Sequence, residues 1–513
     1  MSNLNIKINL SGCVAQNDGE GIKLLSSTLI TMLMTLPQRR AKIVCTIGPA
    51  SDSEVMLTQL LESGMNVARF NFSHGGPEQQ NAAISRLRAI SQKLDKPVAI
   101  LQDLQGPRIR LGDVQNGSVE IKSGETLTLT TREIIGNNHE VSVSYGALPL
   151  DCKPGDIILI NDGLIRLRVD QTTATEVHTT VLVGGALQSH KGMNLPGVSV
   201  STPSLSEKDK IDALWGAANN IDLVALSFVR NADDIQQLRD LIKDAPAHPQ
   251  IIAKIEKPEA IENLDEILEA ADGVMVARGD LGVEMGVEVV PMLQKRIIAK
   301  ANAAGKLVIT ATQMLESMCE NPTPTRAESS DVANAILDGT DAVMLSAETA
   351  AGDFPLESVR TMARIVENVE SSSPDIWFNY RQERRVESTF PDIICQAAAH
   401  AATGSNARCI AVFTESGNTA RLLAKYHPHV PIYAFTSHAP VVNQLQLAWG
   451  VEAFQVDRTR STDEMLLQAE EQLRMRALAD PGDAVIIALG APVALCGHTN
   501  LLKLHRMGEA DII

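Results

Sequence analysis

Six short stretches place charged or hydroxyl side chains at the ends of apolar runs, and the residue types limit the chemistry. In NVARFNFSHGG, Arg69, Asn71 and Ser73 are spaced i, i+2, i+4, so on a strand they share one face. A cation beside two neutral oxygens suits phosphoryl oxygens or a metal ion; a plain hydrogen-bond network at a strand end would use the same set. DLQGPRIR ends an apolar run on Asp103, turns at Gly106-Pro107 and continues with Arg108 and Arg110. Two guanidinium groups so close imply a polyanionic ligand, with a surface arginine pair as the alternative. In AKIEKPEA, Lys254 and Glu256 share a face where charges are costly unless they pair or bind something. In VMVARGDLGVE, the glycines at 279 and 282 let backbone N–H groups approach an anion, and Asp280 can join Glu256 on a divalent cation. Two carboxylates completed by water and ligand oxygens is the usual way Mg²⁺ is held. Thr312 ends one further run, and Ser346 and Glu348 another; a hydroxyl in such a place most often caps the next helix. The set holds no Ser-His-Asp arrangement, cysteine nucleophile or histidine cluster. It describes metal-assisted chemistry on a phosphorylated carboxylate, not hydrolysis by covalent catalysis.

These groups can cooperate only if a fold gathers them. Apolar runs rich in Val, Ile, Leu and Ala predict strands at Lys42–Ile47, Asn66–Asn71, Val98–Leu104, Leu223–Val229, Ile251–Glu256, Gly273–Ala277, Leu307–Thr312 and Ala342–Glu348. Helical patterns lie between them at Ser53–Glu62, Glu78–Leu94, Glu259–Ala271 and Arg326–Leu337, with Pro258 placed where a helix would begin. The alternation predicts an α/β fold, a (β/α)8 barrel with all six stretches at its C-terminal mouth. Between the third and fourth strands, β-branched runs and Gly/Asp turns predict an inserted all-β domain, placed to close over a substrate. Strands at Cys409–Thr414, Ile432–Thr436, Ala453–Val456 and Ala484–Leu489 predict a further α/β unit after a polar connection (SSSPDIWFNYRQERR). The expected boundaries are an N-terminal extension 1–37, barrel segments 38–106 and 205–373, an inserted lid 107–204 and a C-terminal domain 374–513.

Composition excludes other classes. Aromatics are 3% of the 513 residues, too few for stacking platforms on nucleic acid, and the net charge of −17 opposes an extended polyanion or an anionic membrane. The seven cysteines form no CxxC pair, so a reducing cytoplasm is the expected location. The apolar stretch Leu24–Leu36 is far shorter than the roughly 20 residues a membrane span needs and lacks a basic leader. It is expected to be an extension, with translation starts at Met32 or Met34 as an alternative.

KIVCTIGPAS, NVARFNFSHG, DLQGPRIR, KGMNLPG, KIE, ARGDLGVE, ATQMLESM, PTRAE, DVANAILDGTDAVMLSAETA and FTESGNTARLLAKYHP occur in this order and resemble pyruvate kinase from about residue 38 to the end. The resemblance implies phosphoryl transfer from phosphoenolpyruvate to ADP, giving pyruvate and ATP, with Mg²⁺ or Mn²⁺ on Glu256 and Asp280. It implies a substrate pocket of Arg69, Gly279, Asp280 and Thr312. Lys254 would stabilise the phosphoryl group and the enolate, and Thr312 and Ser346 would relay the proton. Asn71, His74, Arg110 and Lys191 would lie around the transferring phosphate and the nucleotide. A homotetramer is implied as well. Many relatives read Asp-Thr-Lys-Gly-Pro-Glu at the turn and need K⁺, held by residues matching Asn71, Ser73 and Asp103; here Leu104, Gln105 and Arg108 stand in the changed places. The expectation is that the Arg108 guanidinium replaces the ion and K⁺ is not required. Gln79 stands where a nucleotide-stacking Tyr is common. The loop of Thr414, Ser416, Gly417 and Thr419 resembles the family's site for a phosphorylated effector. A metal-dependent lyase on the same barrel, or an inert paralogue that only binds, are the competing readings. The lyase would not need Arg69, Lys191 or the lid, and a paralogue would tolerate loss of Lys254 or Thr312.

Overall fold

The computed structural model describes residues 7–9, 13–17, 22–24, 39–73, 76–198, 200–372, 389–491 and 499–509. Eight parallel strands close into a barrel: β1 (Lys42–Thr46), β2 (Val67–Asn71), β3 (Ala99–Asp103), β4 (Leu223–Leu226), β5 (Gln250–Ile255), β6 (Gly273–Ala277), β7 (Leu307–Ala311) and β8 (Ala342–Leu345). Side chains alternate across each strand. Val44, Val67, Leu101, Ala225, Ile252, Met275, Ile309 and Met344 fill the barrel interior, while Ile43, Cys45, Ala68 and Ile100 pack outward against the helical layer. Continuing the interior parity to the strand tips reaches Thr46, Arg69, Asn71, Asp103, Ser227, Lys254, Glu256 and Ser346. The register that packs the core therefore also aims polar groups at the mouth.

Local signals fix the helices. Ser53 caps Glu54–Glu62 by accepting the Met56 N–H, and Thr325 and Glu328 form a reciprocal capping box on Arg326–Asp338. The single helix expected over Glu259–Ala271 is two, Pro258–Glu262 and Leu264–Ala270. The break falls at Asn263, whose side-chain amide donates to the Arg230 carbonyl.

After β3 the chain turns at Gly106, with φ of +69°, where an added Cβ would lie 2.9 Å from Cβ of Ser227. It then enters an all-β domain. Six strands pair in the order Met193–Asn194, Ile157–Ile160, Ile165–Thr172, Glu176–Val183, Thr126–Thr130, Glu140–Ser142, and Ser118–Ile121 pairs with Gly185–Gln188. This lid has its own core, built on residues such as Leu129, Ile158, Leu167 and Val181.

The C-terminal unit holds β9 (Cys409–Phe413), β10 (Ile432–Thr436), β11 (Val451–Gln455), β12 (Ala484–Leu489) and β13 (Leu501–Arg506), in the spatial order β11-β10-β9-β12-β13. β11 begins two residues before the expected start. β13 was not expected from the sequence: it runs antiparallel on the sheet edge, where a mixed polar pattern (LLKLHR) meets solvent on one side. The polar connection from about 374 to 388 lies outside the described residues. Of the N-terminal extension, three short strands, Lys7–Asn9, Cys13–Asn17 and Ile22–Leu24, form an antiparallel sheet. Among the described residues no helix is long and apolar enough to cross a membrane.

Candidate active site

The barrel mouth is organised around a buried ammonium. Lys254 Nζ, at the tip of β5, lies 2.8 Å from Glu256 Oε1 and 3.4 Å from Asp103 Oδ1, and donates to Ser227 Oγ at 2.8 Å. Ser227 in turn donates to the Leu104 carbonyl, which commits its proton and leaves a lone pair for the lysine. Asp103 receives Arg69 Nε at 2.7 Å, and Arg69 also donates to Thr46 Oγ1. Thr46 donates onward to the carbonyl of Leu345 at the end of β8. Arg69, Asp103, Lys254 and Glu256, expected from the sequence, are thus joined in one network. Ser227 and Thr46 were missed; the interior parity of β4 and β1 is the signal that would have found them.

The charges decide the protonation states. Burial alone would raise the Asp103 carboxyl, but Lys254 and Arg69 outweigh it and hold it below its ordinary value. Burial would likewise lower Lys254, yet Asp103, Glu256 and Asp280 together raise it. Glu256 is raised, first by burial and then by the neighbouring Asp280, with Lys254 opposing. Its Oε2 accepts the Phe228 N–H, while Oε1 has the lysine contact but no aligned hydrogen bond. Asp280, half-buried, makes no hydrogen bond or ion pair among the described residues. An orphaned carboxylate oxygen next to a free carboxylate, with oxygen donors only, fits a hard divalent cation completed by water and ligand atoms.

The third strip of the site is strained backbone. Thr312 and Gln313 have φ of 68° and 54°, and Phe228 has 55°, a region costly for bulky or β-branched residues. Arg278 holds the first two: its guanidinium donates to the carbonyls of Ala311, Thr312 and Gln313 and pairs with Asp331. In this conformation Thr312 Oγ1 accepts the Gly279 N–H at 2.8 Å and donates to the Ala311 carbonyl. Ser346 does not cap its helix. Its Oγ is buried without a partner, and its N–H and that of Leu315 go instead to Glu348. Ser346 and Thr312 are not hydrogen-bonded to each other.

Other expected residues sit farther out. Asn71 pairs in register with Asp103 and accepts the Ser73 N–H; His74 lies outside the described residues. Arg108 is exposed at the lid's root, where it lines a cavity with Asp280, Lys257 and Phe228, and among the described residues no hydrogen bond or ion pair joins it to Asn71, Ser73 or Asp103. Arg110 and Lys191 lie on adjacent lid segments: Arg110 bridges Gly192 and donates to the His190 carbonyl, and Leu111 N–H meets the Lys191 carbonyl. In the C-terminal unit Thr414, Ser416 and Thr419 line a cavity of about 100 Å³, with Gly417 at φ of +80° opening the helix behind it.

A (β/α)8 barrel with a lid over this mouth, carrying a buried lysine, two cation-ready carboxylates and an arginine, defines an enzyme of anionic substrates. Comparison with known proteins sharpens this. Residues 38–359 match the barrel domain of pyruvate kinase and residues 392–505 its alpha/beta domain. The chain is similar to the pyruvate kinase of Geobacillus stearothermophilus, 48% identical over 475 residues, which cover 92% of this chain and 81% of that one. It is 45% identical over 477 residues to that of Mycobacterium tuberculosis, covering 92% of this chain and all of the relative. A solved pyruvate kinase from Cryptosporidium parvum superposes with a TM-score of 0.87 at 37% identity, covering 94% of this chain and 98% of that one. The chain belongs to the pyruvate kinase family and is a phosphotransferase.

The Asp103 network has a pH signature. Because its carboxyl is held low, its pairing contributes fully above the ordinary value of 3.8 and is lost only as pH falls through the lowered one. Asp103→Asn, which strands Lys254 and Arg69, is expected to cost about 3 kcal/mol in urea unfolding at pH 7. The gap to wild type should be the same at pH 5; a gap already closing between pH 7 and 5 contradicts the lowered value.

Proposed function

We propose that this chain transfers the phosphoryl group of phosphoenolpyruvate to ADP, and that the Lys254 network performs the transfer. In the reaction the bond between phosphorus and the enol oxygen breaks, a bond to a β-phosphate oxygen of ADP forms, and the pyruvate enolate left behind takes a proton at its methylene carbon. The observation that carries the reading is the ammonium of Lys254, buried and kept charged at the centre of the mouth, where charge on the moving phosphoryl group and then on the enolate is best met. Arg69, anchored by Asp103 and Thr46, offers its remaining donors to the phosphate. Thr312 and the N–H groups of Gly279 and Asp280 receive the substrate carboxylate, for which the Thr312–Gly279 bond must open. Arg110 and Lys191 bring cationic groups from the lid to the nucleotide, and Asn71 borders the phosphate, a role the family resemblance also assigns to His74. Glu256 and Asp280 hold Mg²⁺ or Mn²⁺, which when bound supplies charge neutralisation at substrate oxygens. The unpartnered Ser346 hydroxyl and Thr312 are the groups assigned to delivering the proton. Boundaries at 106/107, 204/205 and 373/374 divide lid, barrel and C-terminal domain, and the family's homotetramer in the cytoplasm is carried over, its size open to sedimentation.

In a coupled assay with phosphoenolpyruvate, ADP and Mg²⁺, Lys254→Met is expected to lower kcat by about 10³ or more while Mn²⁺ binding persists. Activity within tenfold of wild type removes the lysine from the mechanism.

Independence from K⁺ is proposed on charge. The root of the lid carries Arg108 where K⁺-requiring relatives carry an acid, and its exposed guanidinium is the fixed cation that would serve Asn71, Ser73 and Asp103 in place of the ion. Activity in tetramethylammonium buffer should then match that in K⁺; a large fall in kcat without K⁺ refutes the substitution.

Regulation is proposed at the loop of Thr414, Ser416, Gly417 and Thr419, supported by its hydroxyl-lined cavity. Glu415, paired with His438 there, disfavours a bisphosphate and favours a sugar or nucleotide monophosphate. Calorimetric titration with such ligands should give binding that Ser416→Asp abolishes; equal binding to the variant excludes this loop.

A further inference from the structure

The lid's nucleotide residues need an orientation, and one polar junction between lid and barrel can set it. Glu284 lies on the helix Arg278–Met285, the helix that also carries Gly279 and Asp280. Its side chain is almost wholly buried. One oxygen, Oε1, receives Lys257 Nζ at 2.8 Å from the loop directly after Glu256, and Asn194 Nδ2 at 3.0 Å from the lid. Among the described residues the second oxygen has no hydrogen-bond partner, so none of them competes with Lys257 and Asn194 to hold the carboxylate. A charged acceptor in so dry a place makes each of these bonds stronger than a neutral one and intolerant of loss.

Asn194 is well placed to transmit position. It ends the lid strand Met193–Asn194, whose residues pair with Ile160 and Leu159. Met193 N–H donates to the Ile109 carbonyl, Arg110 bridges Gly192, and Leu111 N–H donates to the Lys191 carbonyl. Arg110 and Lys191 are therefore rungs of one short ladder, and Asn194 is the residue at its end that is tied to the barrel. Among the described residues the lid's buried core is separate from those of the barrel, so no shared core fixes the angle between them. Another polar tie, Arg230 to the Val200 carbonyl, lies on the returning connection and not on this ladder.

We propose that Asn194 and Glu284 are positioning residues: their hydrogen bond sets the lid's angle and so places Arg110 and Lys191 against the nucleotide. The same carboxylate braces Lys257 beside the metal-binding Glu256, so nucleotide placement is mechanically referred to the metal site. This deepens the proposed function and rests on its assignment of Arg110 and Lys191 to ADP.

The test is steady-state kinetics of the full-length enzyme with four variants. Asn194→Asp sets a carboxylate against Glu284 and is expected to raise the KM for ADP about tenfold, with the KM for phosphoenolpyruvate within about twofold of wild type. Adding Glu284→Gln restores a donor–acceptor pair with the roles exchanged, and should return the KM for ADP to within about threefold of wild type. Glu284→Gln alone leaves the amide oxygen to accept from Asn194 and should have the smaller effect. Lys191→Ala reports the underlying assignment. An unchanged KM for ADP in Asn194→Asp, an equal rise in both KM values, or failure of the double variant to recover overturns the joint while a raised KM in Lys191→Ala leaves the nucleotide assignment standing. An unchanged KM in Lys191→Ala overturns both. Because recovery requires a second substitution on the opposite domain, a variant that merely folds poorly cannot imitate it.

Discussion

Everything at the barrel mouth depends on keeping one ammonium charged where water is scarce. Burying a lysine charge costs several kcal/mol unless opposite charges and acceptors replace its hydration. Lys254 meets that cost with two carboxylates and a hydroxyl whose own proton is directed elsewhere. Around it, Arg69 adds a second cation, and Asp103, Glu256 and Asp280 add three acids, so the cluster carries one negative charge in excess. The excess falls on Glu256, which is pushed upward by burial and by Asp280. A divalent cation held by Glu256 and Asp280 would turn the balance to net positive, the sign that suits an anionic ligand.

The scaffold gathers this cluster by repeating one rule. Apolar residues of one parity fill the barrel, and the next residues of that parity emerge at the mouth as Thr46, Arg69, Asp103, Ser227, Lys254 and Ser346. Packing the interior and aiming the chemistry are the same geometric act. Where the rule ends, strain takes over. Thr312, Gln313 and Phe228 leave the ordinary backbone regions at the strand tips, and Arg278 and Glu256 bind the backbone groups that keep two of these places bent. Such conformations persist because surrounding contacts over-determine them.

Much of this was legible in the sequence for a physical reason. Strands buried on both faces read as continuous apolar runs, and charges at their ends stand out because they are expensive there. Lys254, Glu256, Asp280, Arg69 and Asp103 were found in that way. Ser227 and Thr46 were not, since each lies inside an apolar run with no charge beside it, and their roles come from partners on other strands. Arg278 was visible within its motif, but its role lies in the carbonyls of a loop more than 30 residues away. The helix break at Asn263 depends on a carbonyl from another element. Edge strand β13 lacked the uniform apolar signal because only one of its faces is covered. Arg108 shows the opposite limit: its charge is legible, but where that charge sits depends on the lid's angle, which local sequence does not encode.

The three units are joined in unequal ways, and this bears on how the site works. The barrel interior and the C-terminal core form one continuous apolar cluster, from Val44 and Leu101 through Leu445 and Leu447 to Ile410. Polar bonds reinforce it: Lys42 donates to the Val451 carbonyl and the Trp449 N–H meets Asp341. The two units thus share one close-packed core, and packed interiors are stiff. Among the described residues the lid's buried core is separate from the barrel's, and the lid is referred to the barrel through a few polar contacts, the buried Asn194–Glu284 bond among them. One joint is a shared apolar core and the other a set of directional polar bonds. Lys254 takes its contacts from Asp103, Glu256 and Ser227, so its charge state is maintained from within the barrel and does not depend on the lid.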